Sequence, residues 1–346
     1  MRNDLPNSHL IALNPLGLCK GRRSCHREIA FSKKWDRKMR TIAIVGGSGF
    51  VGRYVVEKFA DKGDLIRIIV RNPVAANFLK PLGEPGQIIP VQASLLSCKD
   101  IARTIQGADV VVNLVGILYE KGSQTFEALH VKGASLVAQM AAELKVPTLL
   151  HMSALGANKE SLSRYASTKA RGEEAVLNYF PHATIFRPSV IFGSEDKFLN
   201  KFAEMALFSP FLPLIGGGKT RFQPIYVGDV AESIQKASLQ KEARGHICEL
   251  GGPVIYTFSE LMKFLLKTIH RKRFLLPLPF NLAKVIAMLT QYLPTPPLTL
   301  DQVELLKTDT VVSPQAFTIE NFGVRPKALE ALAPLYLTRY CSSGNF

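Results

Sequence analysis

The stretch YASTK places a tyrosine, Tyr165, four residues before a lysine, Lys169. On a helix two such residues lie one turn apart on the same face, and a nearby ammonium favours the phenolate form of tyrosine. Tyr165 could then pass a proton to or from a carbonyl or alcohol of a substrate. Ser153, at the end of a predicted strand, could hold the substrate oxygen. These three residues form the candidate catalytic set.

The spacing alone proves little, because the chain contains it twice. YVVEK puts Tyr54 and Lys58 at the same interval on the first predicted helix, where we expect no catalytic role. Tyr165 differs because it follows the fifth predicted strand, near the sheet edge where ligands bind in doubly wound folds. Position in the fold therefore favours Tyr165 over Tyr54.

A glycine cluster, GGSGFVG, lies between the first predicted strand and the first predicted helix. Gly46, Gly49 and Gly52 follow the spacing G-x-x-G-x-x-G. Glycines there allow a tight turn, let the backbone approach a pyrophosphate and let the helix pack closely on the strand. The helix N-terminus offers free N–H groups to the phosphate. The cluster predicts a dinucleotide-binding loop.

Two arginines bear on which dinucleotide is bound. An NAD-selective site places Asp or Glu near the end of the second strand, and this chain has Arg71 there, with Arg53 directly after Gly52. A guanidinium can hold a 2′-phosphate that a carboxylate would repel. The pair favours NADP(H) over NAD(H), unless both arginines are simply solvated surface charges.

Strand and helix patterns alternate along the first half of the chain. Repeated β-α-β units with short links are typical of an α/β fold with a Rossmann-type doubly wound parallel sheet. Such a sheet binds ligands at the carboxyl ends of its strands. The predicted strands are Thr41–Val45, Leu65–Val70, Ile88–Val91, Asp109–Val115, Thr148–Ser153 and Ala183–Arg187. The predicted helices are Phe50–Lys62, Thr125–Lys145 and Tyr165–Asn178.

The pattern divides the chain into three parts. Residues 1–38 form a basic extension, 39–190 form the nucleotide-binding domain, and 191–346 form a smaller, mostly helical portion for a substrate or partner. We expect some segments of the last part to return to the sheet. Two capping boxes mark helix starts in it: Thr257 with Glu260, and Thr299 with Gln302.

Residues 274–298 form a long apolar stretch with a single charge, Lys284. Prolines at both ends leave an uninterrupted run too short to span a bilayer, and they predict a short helix from about Asn281 to Tyr292. A helix this apolar is expected to contact both its own domain and a second hydrophobic surface, either a partner subunit or the membrane interface. Its apolar face includes Leu282, Val285, Ile286 and Leu289.

The formal net charge is +15, and six of these net charges lie in residues 1–38. That segment fits a mitochondrial targeting sequence or an extension upstream of a start at Met39, and we favour the second. The basic residues elsewhere are dispersed, and no nucleic-acid motif accompanies them, so a solvated surface or a partner interface is expected.

Five cysteines occur with no C-x-x-C pair. Cys19, Cys25 and His26 are one ligand short of a zinc site, so we expect no metal. The scattered cysteines favour a reducing compartment.

Three motifs carry a resemblance: GGSGFVGRY, YASTK and RPSVIFG are similar to the extended or atypical branch of the short-chain dehydrogenase/reductase superfamily. Longer stretches at 163–203, 223–234 and 273–286 resemble the NADPH-binding accessory subunits of respiratory complex I and their bacterial relatives. The resemblance covers roughly Thr41 to Tyr340. It implies a Rossmann domain that holds NADPH tightly and a small C-terminal domain, in a protein that supports assembly and stability of complex I without established turnover.

The resemblance also implies the cofactor contacts. Arg53 and Arg71 would lie at the 2′-phosphate, and Tyr165 and Lys169 would contact the nicotinamide ribose. The phosphate loop would be Gly46, Ser48, Gly49, Phe50 and Gly52, and the remaining cofactor contacts would be Ser94, Val115, Gly116 and Pro188.

Two positions depart from the superfamily pattern. Ala93-Ser94 stands where many relatives have Gly-Asp, so the adenine contact would be weaker or go through a hydroxyl. His130 stands where many have an Asn in the proton relay. We expect His130 to be a packed histidine, which puts a full relay in doubt.

Two main function classes remain. The first is an NADP(H)-binding accessory or assembly protein of complex I, on the cytoplasmic face of a bacterial inner membrane or, if residues 1–38 are a targeting segment, on the mitochondrial matrix face. The second is an active NADPH-dependent reductase or epimerase acting on a small substrate. A quinone- or lipid-related enzyme at the membrane surface is a weaker third. The intact Ser153, Tyr165 and Lys169 keep the enzyme classes open.

Overall fold

The structure is a computed structural model that describes residues 39–290, 293 and 296–341. The expectations for residues 1–38, including Cys19, Cys25 and His26, fall outside the described residues. The compact body described below begins at Arg40.

A parallel sheet of seven strands forms the centre of the described body, in the order β3-β2-β1-β4-β5-β6-β11. The strand order reverses between β1 and β4, as in a doubly wound sheet. The predicted Rossmann-type α/β fold is therefore confirmed. The strands are β1 Thr41–Val45, β2 Leu65–Val70, β3 Ile88–Gln92, β4 Val110–Asn113, β5 Thr148–Met152, β6 Thr184–Pro188, β7 Ile191–Phe192, β8 Phe211–Ile215, β9 Arg221–Phe222, β10 Ile225–Tyr226, β11 Ile247–Leu250, β12 Tyr256–Thr257 and β13 Phe274–Leu278.

Helices cover both faces of the sheet, which is why central strands such as β4 are buried along their whole length. α1 and α6 pack on one face, and α2, α3 and α4 pack on the other. The helices are α1 Phe50–Ala60, α2 Cys98–Ile105, α3 Gly133–Glu143, α4 Arg164–Tyr179, α5 Leu199–Phe208, α6 Val227–Ala237, α7 Phe258–Thr268, α8 Phe280–Thr290, α9 Leu300–Leu305 and α10 Leu329–Leu337.

The predicted helix Thr125–Lys145 differs at its start. Residues Glu127–Lys132 form a wide π-helical turn, and the regular helix α3 begins only at Gly133. Such turns are typical of functional sites, and this one carries His130. Apolar periodicity cannot distinguish this turn from an α-helical one.

The C-terminal portion has its own core between α5, α7 and α10. Both predicted capping boxes are present: Thr257 and Glu260 begin α7, and Thr299 and Gln302 begin α9. Strand β13 was not predicted, because Pro277 argues against a central strand. It fits here because β13 pairs with β8 in a separate two-stranded parallel sheet, where each strand is an edge strand among the described residues.

Helix α8 matches the predicted apolar helix, although its predicted last residue, Tyr292, lies outside the described residues. Ala283 and Ala287 face inward and are fully buried, whereas Leu289 is 75% exposed. Leu282, Val285 and Ile286 are also exposed. No helix in the described ranges has both the length and the hydropathy needed to cross a membrane.

Helix α4 packs against the π-helical turn through a glycine. A Cβ at Gly172 would lie 2.1 Å from the backbone oxygen of His130, so a side chain there has no room. Only a residue without a Cβ lets α4 approach this closely.

We predict that Gly172→Ala destabilises the protein by about 1–3 kcal/mol, because the backbone clash outweighs the gain in helix propensity. Urea unfolding gives the free energy of unfolding. The control is Asn178→Ala, at an exposed position of the same helix, which should be neutral or slightly stabilising. A Gly172→Ala protein as stable as the wild type would show that α4 has room for a side chain next to the His130 backbone.

Candidate active site at the carboxyl edge of the sheet

The glycine loop follows β1 at the carboxyl edge of the sheet. Gly46 has φ +84°, a left-handed conformation that favours glycine. A Cβ at Gly52 would lie 2.4 Å from the Gly46 carbonyl oxygen, so Gly52 lets α1 start against the loop. The two glycines give the turn and the close helix contact that the sequence predicts.

The first turn of α1 contains no acidic residue. Its N-cap is Gly49, which is exposed, and neither a side-chain cap nor an acidic residue in the first turn satisfies the free N–H groups. Ser48 and Phe50 flank this cap and are half-buried. Free N–H groups at the positive end of the helix dipole suit a phosphate.

The two predicted phosphate-binding arginines have different surroundings. Arg71, just after β2, is exposed and has no ion pair or hydrogen bond with the described residues. Arg53 forms an ion pair with Glu195, with Nη1 3.1 Å from Oε1, and its guanidinium stacks on Phe78 at 5.2 Å from the ring centroid. Arg71 is therefore available to a ligand, whereas Arg53 is already engaged.

The other predicted cofactor residues lie at the ends of β3, β4 and β6. Ser94 is exposed, and its N–H donates to Asp100 at 3.0 Å. Val115 and Gly116 follow β4, and a Cβ at Gly116 would lie 3.2 Å from Nζ of Lys169. Pro188 is buried at the end of β6.

Lys169 is buried in helix α4 and reaches toward the sheet. Its Nζ donates to the carbonyl oxygens of Met152 at 3.1 Å and Val115 at 3.5 Å. Burial lowers the pKa of Lys169 to about 8, although Glu173 acts in the opposite direction. The ammonium therefore lies between the ends of β4 and β5.

Tyr165 does not have the lowered pKa that the YASTK spacing suggests. Burial and the Asp301 carboxylate raise the pKa of Tyr165 to about 12. The hydrogen bonds of the Lys169 ammonium go to the backbone carbonyls of Met152 and Val115. The raised pKa does not match the expectation that Lys169 promotes the phenolate, which stays a prediction.

His130 uses both of its ring nitrogens. Nε2 accepts from the N–H of Ile117 at 3.1 Å, and Nδ1 is 3.2 Å from Oγ1 of Thr168. Because Oγ1 can donate to the carbonyl of Arg164, it accepts from Nδ1–H. Burial, with Lys169 and His151 nearby, lowers the pKa of His130 to about 2. The ring is neutral and packed edge-on to Tyr165, as the sequence analysis expects.

Ser153 has a buried hydroxyl with no hydrogen-bond partner among the described residues. Its backbone N–H donates to the Phe186 carbonyl, which fixes the residue just beyond β5. Buried hydroxyls normally have partners, so this oxygen suits a ligand or a water molecule.

The sequence did not indicate two acidic residues near the site, Asp301 and Glu195. Asp301 accepts from the hydroxyl of Ser163 at 3.1 Å and from the N–H of Tyr165 at 3.3 Å, so a C-terminal helix caps α4. Glu195 pairs with Arg53. Asp301 lies inside the predicted capping box that begins at Thr299, but a sequence pattern does not show which distant helix it meets.

No set of three His, Cys, Asp or Glu side chains in the described ranges is arranged to hold a metal ion.

Residues 42–251 match the NAD dependent epimerase/dehydratase family. The chain belongs to this family. The match runs from β1 to the end of β11, so it includes the glycine loop and the Tyr165–Lys169 pair. It supports binding of a nicotinamide dinucleotide without distinguishing NADP from NAD.

This epimerase/dehydratase family member is also similar to two curated proteins along most of their length. The NADH dehydrogenase (ubiquinone) 1 alpha subcomplex subunit 9 of Arabidopsis thaliana is 36% identical over 88% of this chain and 79% of the relative. The subunit of the same name from Mus musculus is 34% identical over 86% and 79%. Both are named as mitochondrial.

Among solved structures, an NADPH-dependent quinone oxidoreductase from Escherichia coli complexed with NADPH has a TM-score of 0.68. It is 21% identical, over 86% of this chain and 99% of that one. At this identity the likeness concerns the fold alone.

The buried Lys169 predicts a specific pH dependence of stability. Its folded pKa of about 8 lies below the ordinary 10.5, so the unfolded chain holds this proton more tightly. Burial of the charged Lys169 therefore lowers the free energy of unfolding. This loss is fully present below pH 8 and disappears as pH rises toward 10.5. The shift corresponds to a free energy on the order of 3 kcal/mol.

Lys169→Met should remove this dependence. We expect the wild-type free energy of unfolding, relative to that of the variant, to rise between pH 7.5 and 9.5. Urea unfolding of both proteins across this range measures it, and the difference cancels the other titrating groups. Parallel pH profiles would show that Lys169 is not desolvated in the folded protein.

Proposed function

We propose that this chain binds NADP(H) and acts as an accessory or assembly protein of respiratory complex I, without obligatory turnover. The observation that carries the proposal is the extent of the similarity. The chain matches 79% of two subunits named as part of NADH dehydrogenase (ubiquinone), well beyond the family domain at residues 42–251. The protein would work on the cytoplasmic face of a bacterial inner membrane or on the mitochondrial matrix face.

The residues at the carboxyl edge fit a bound dinucleotide. The uncapped N-terminus of α1 would hold the pyrophosphate, with Gly46 and Gly52 keeping the backbone close to it. Arg71 would bind the 2′-phosphate, because it is exposed and without an internal partner among the described residues. Lys169 and the unpartnered hydroxyl of Ser153 lie at the ends of β4 and β5, where the nicotinamide ribose would be bound. The bound cofactor would supply or accept a hydride.

The exposed face of α8 supports a docking role. Leu289 is 75% exposed and Val285 56%, and Phe274 on the adjoining strand is 73% exposed. Arg271, Lys272 and Arg273 come directly before that strand. Apolar side chains beside basic ones favour a peripheral contact with an anionic membrane surface, next to the complex I subunits.

An active NADPH-dependent reductase or epimerase is the second candidate, and Ser153 favours it. A buried hydroxyl without a partner near Lys169 is what a substrate oxygen would require. Two features weigh against turnover: the pKa of Tyr165 is raised, and His130 is neutral with both nitrogens engaged. Both observations favour a role without turnover.

We expect the chain to bind NADPH more tightly than NADH and Arg71→Gln to weaken NADPH binding by about 1–3 kcal/mol, with little effect on NADH. Cofactor fluorescence titration measures both affinities. Arg325→Gln, which removes another exposed arginine outside the site, is the charge-matched control. Equal affinities for the two cofactors in the wild type would contradict the NADP(H) assignment.

The docking proposal predicts that replacing Ile286 and Leu289 together by Ser abolishes co-sedimentation with anionic vesicles and with complex I-containing membranes, while NADPH binding is kept. The control is Leu335→Ser on α10, since Leu335 is also 75% exposed. If the double variant unfolds and releases NADPH, α8 is ordinary core. If it stays folded and still co-sediments, the interface lies elsewhere.

A further inference from the structure

Glu195 connects two residues of helix α1 to the segment that follows β7. Its Oε1 is 3.1 Å from Nη1 of Arg53, and its Oε2 accepts from the hydroxyl of Tyr54 at 2.9 Å. The Arg53 and Glu195 side chains are 33% and 37% exposed, so the pair lies at the surface and is accessible to a competing anion. A half-exposed pair of this kind is weak.

Arg53 is incompletely satisfied in this arrangement. Its Nε is buried and has no hydrogen-bond partner among the described residues, while Phe78 covers one face of the guanidinium. A buried donor without a partner costs free energy. The carboxylate of Glu195 therefore holds Arg53 in an arrangement that a ligand with more acceptor oxygens could improve.

Arg53 is one of the two arginines that the resemblance places at the 2′-phosphate, and it also lies near the α1 N-terminus, where the pyrophosphate is expected. It follows Gly52, the glycine that packs α1 on the loop, and it lies near the start of a helix whose first turn has neither a side-chain cap nor an acidic residue. A phosphate monoester carries three acceptor oxygens and more charge than a carboxylate. It can therefore replace Glu195 on the guanidinium.

We propose that Glu195 is an internal counter-ion of the 2′-phosphate subsite: it holds Arg53 in the ligand-free chain and is displaced by the 2′-phosphate of NADP(H). This rests on the NADP(H) binding proposed above. NADH has no 2′-phosphate and leaves the Arg53–Glu195 pair intact. The Arg53–Glu195 ion pair would therefore break when NADP(H) binds and stay intact when NADH binds.

Displacement of the Glu195 side chain would affect the C-terminal portion through Asp196, the next residue in the chain. Asp196 is buried, accepts from the hydroxyl of Tyr336 on α10 at 2.8 Å, and accepts from the N–H of Leu199 at the start of α5. Release of Glu195 therefore occurs one residue from a junction between α5 and α10. Residues 193–200 should differ between the NADPH-bound and NADH-bound chains.

The test measures affinities of the full chain for NADPH and NADH, and for adenosine 2′,5′-bisphosphate and 5′-AMP, which differ only in the 2′-phosphate. Glu195→Gln should tighten binding of both 2′-phosphorylated ligands by about three- to tenfold and change the other two less than twofold. The gain should shrink at high salt. Amide exchange in residues 193–200 should respond to NADPH but not to NADH in the wild type.

Asp309→Asn is the matched control, because Asp309 also pairs with an exposed arginine, Arg221, and lies outside the site. It should leave all four affinities unchanged. Tyr54→Phe removes the second bond to Glu195 and should tighten NADPH binding in the same direction, to a smaller extent. This second variant keeps the test decisive if Glu195→Gln does not fold.

Two results would overturn the inference in distinguishable ways. If the wild type prefers the 2′-phosphorylated ligands but Glu195→Gln leaves their affinity unchanged or weakens it, Glu195 does not compete with the phosphate, and the proposed function stands. If the wild type shows no preference for the 2′-phosphate, both the inference and the NADP(H) assignment fail.

Discussion

The contact between Gly52 and the Gly46 carbonyl determines where helix α1 can begin. A Cβ at Gly52 would lie 2.4 Å from that oxygen, so any side chain would push the helix away from the loop. Because α1 starts against the end of β1, its free N–H groups lie at the carboxyl edge of the sheet. The same edge presents Lys169 between β4 and β5, and the hydroxyl of Ser153. The candidate site therefore depends on one close backbone approach.

The electrostatics of the site are set by burial. Lys169, His130 and His151 are all buried close together, and burial is the largest cause of the lowered pKa of each. The Lys169 ammonium adds to the effect on both histidines, so of these three groups only the lysine carries a charge near neutral pH. A single buried cation beside an unpartnered hydroxyl suits a polar ligand. The neutral His130 ring packs against Tyr165 and accepts a hydrogen bond from the Ile117 N–H, whereas the buried Nδ1 of His151 has no partner among the described residues.

The sequence predicts the features that depend on local pattern and leaves out those that depend on packing. The β-branched runs, the glycine spacing and the capping boxes at Thr257 and Thr299 each have a local physical cause, and the structure contains them. The raised pKa of Tyr165 could not be predicted, because it depends on burial in the folded chain and on Asp301, a residue 136 positions away in the chain. The π-helical turn was not predicted because its apolar spacing is that of an α-helix. Strand β13 was not predicted because a proline, Pro277, is unusual inside a strand.

The seventh strand of the central sheet, β11, comes from residues 247–250, and Asp301 caps α4 from still further along the chain. A ribosome therefore releases strands β1 to β6 well before the strand that covers the β6 edge. During that interval β6 presents unpaired backbone groups, which can pair with another chain. The newly made protein would need a chaperone or a fast-folding C-terminal portion to avoid aggregation. For the same reason, a fragment that stops after β6 would expose this edge permanently.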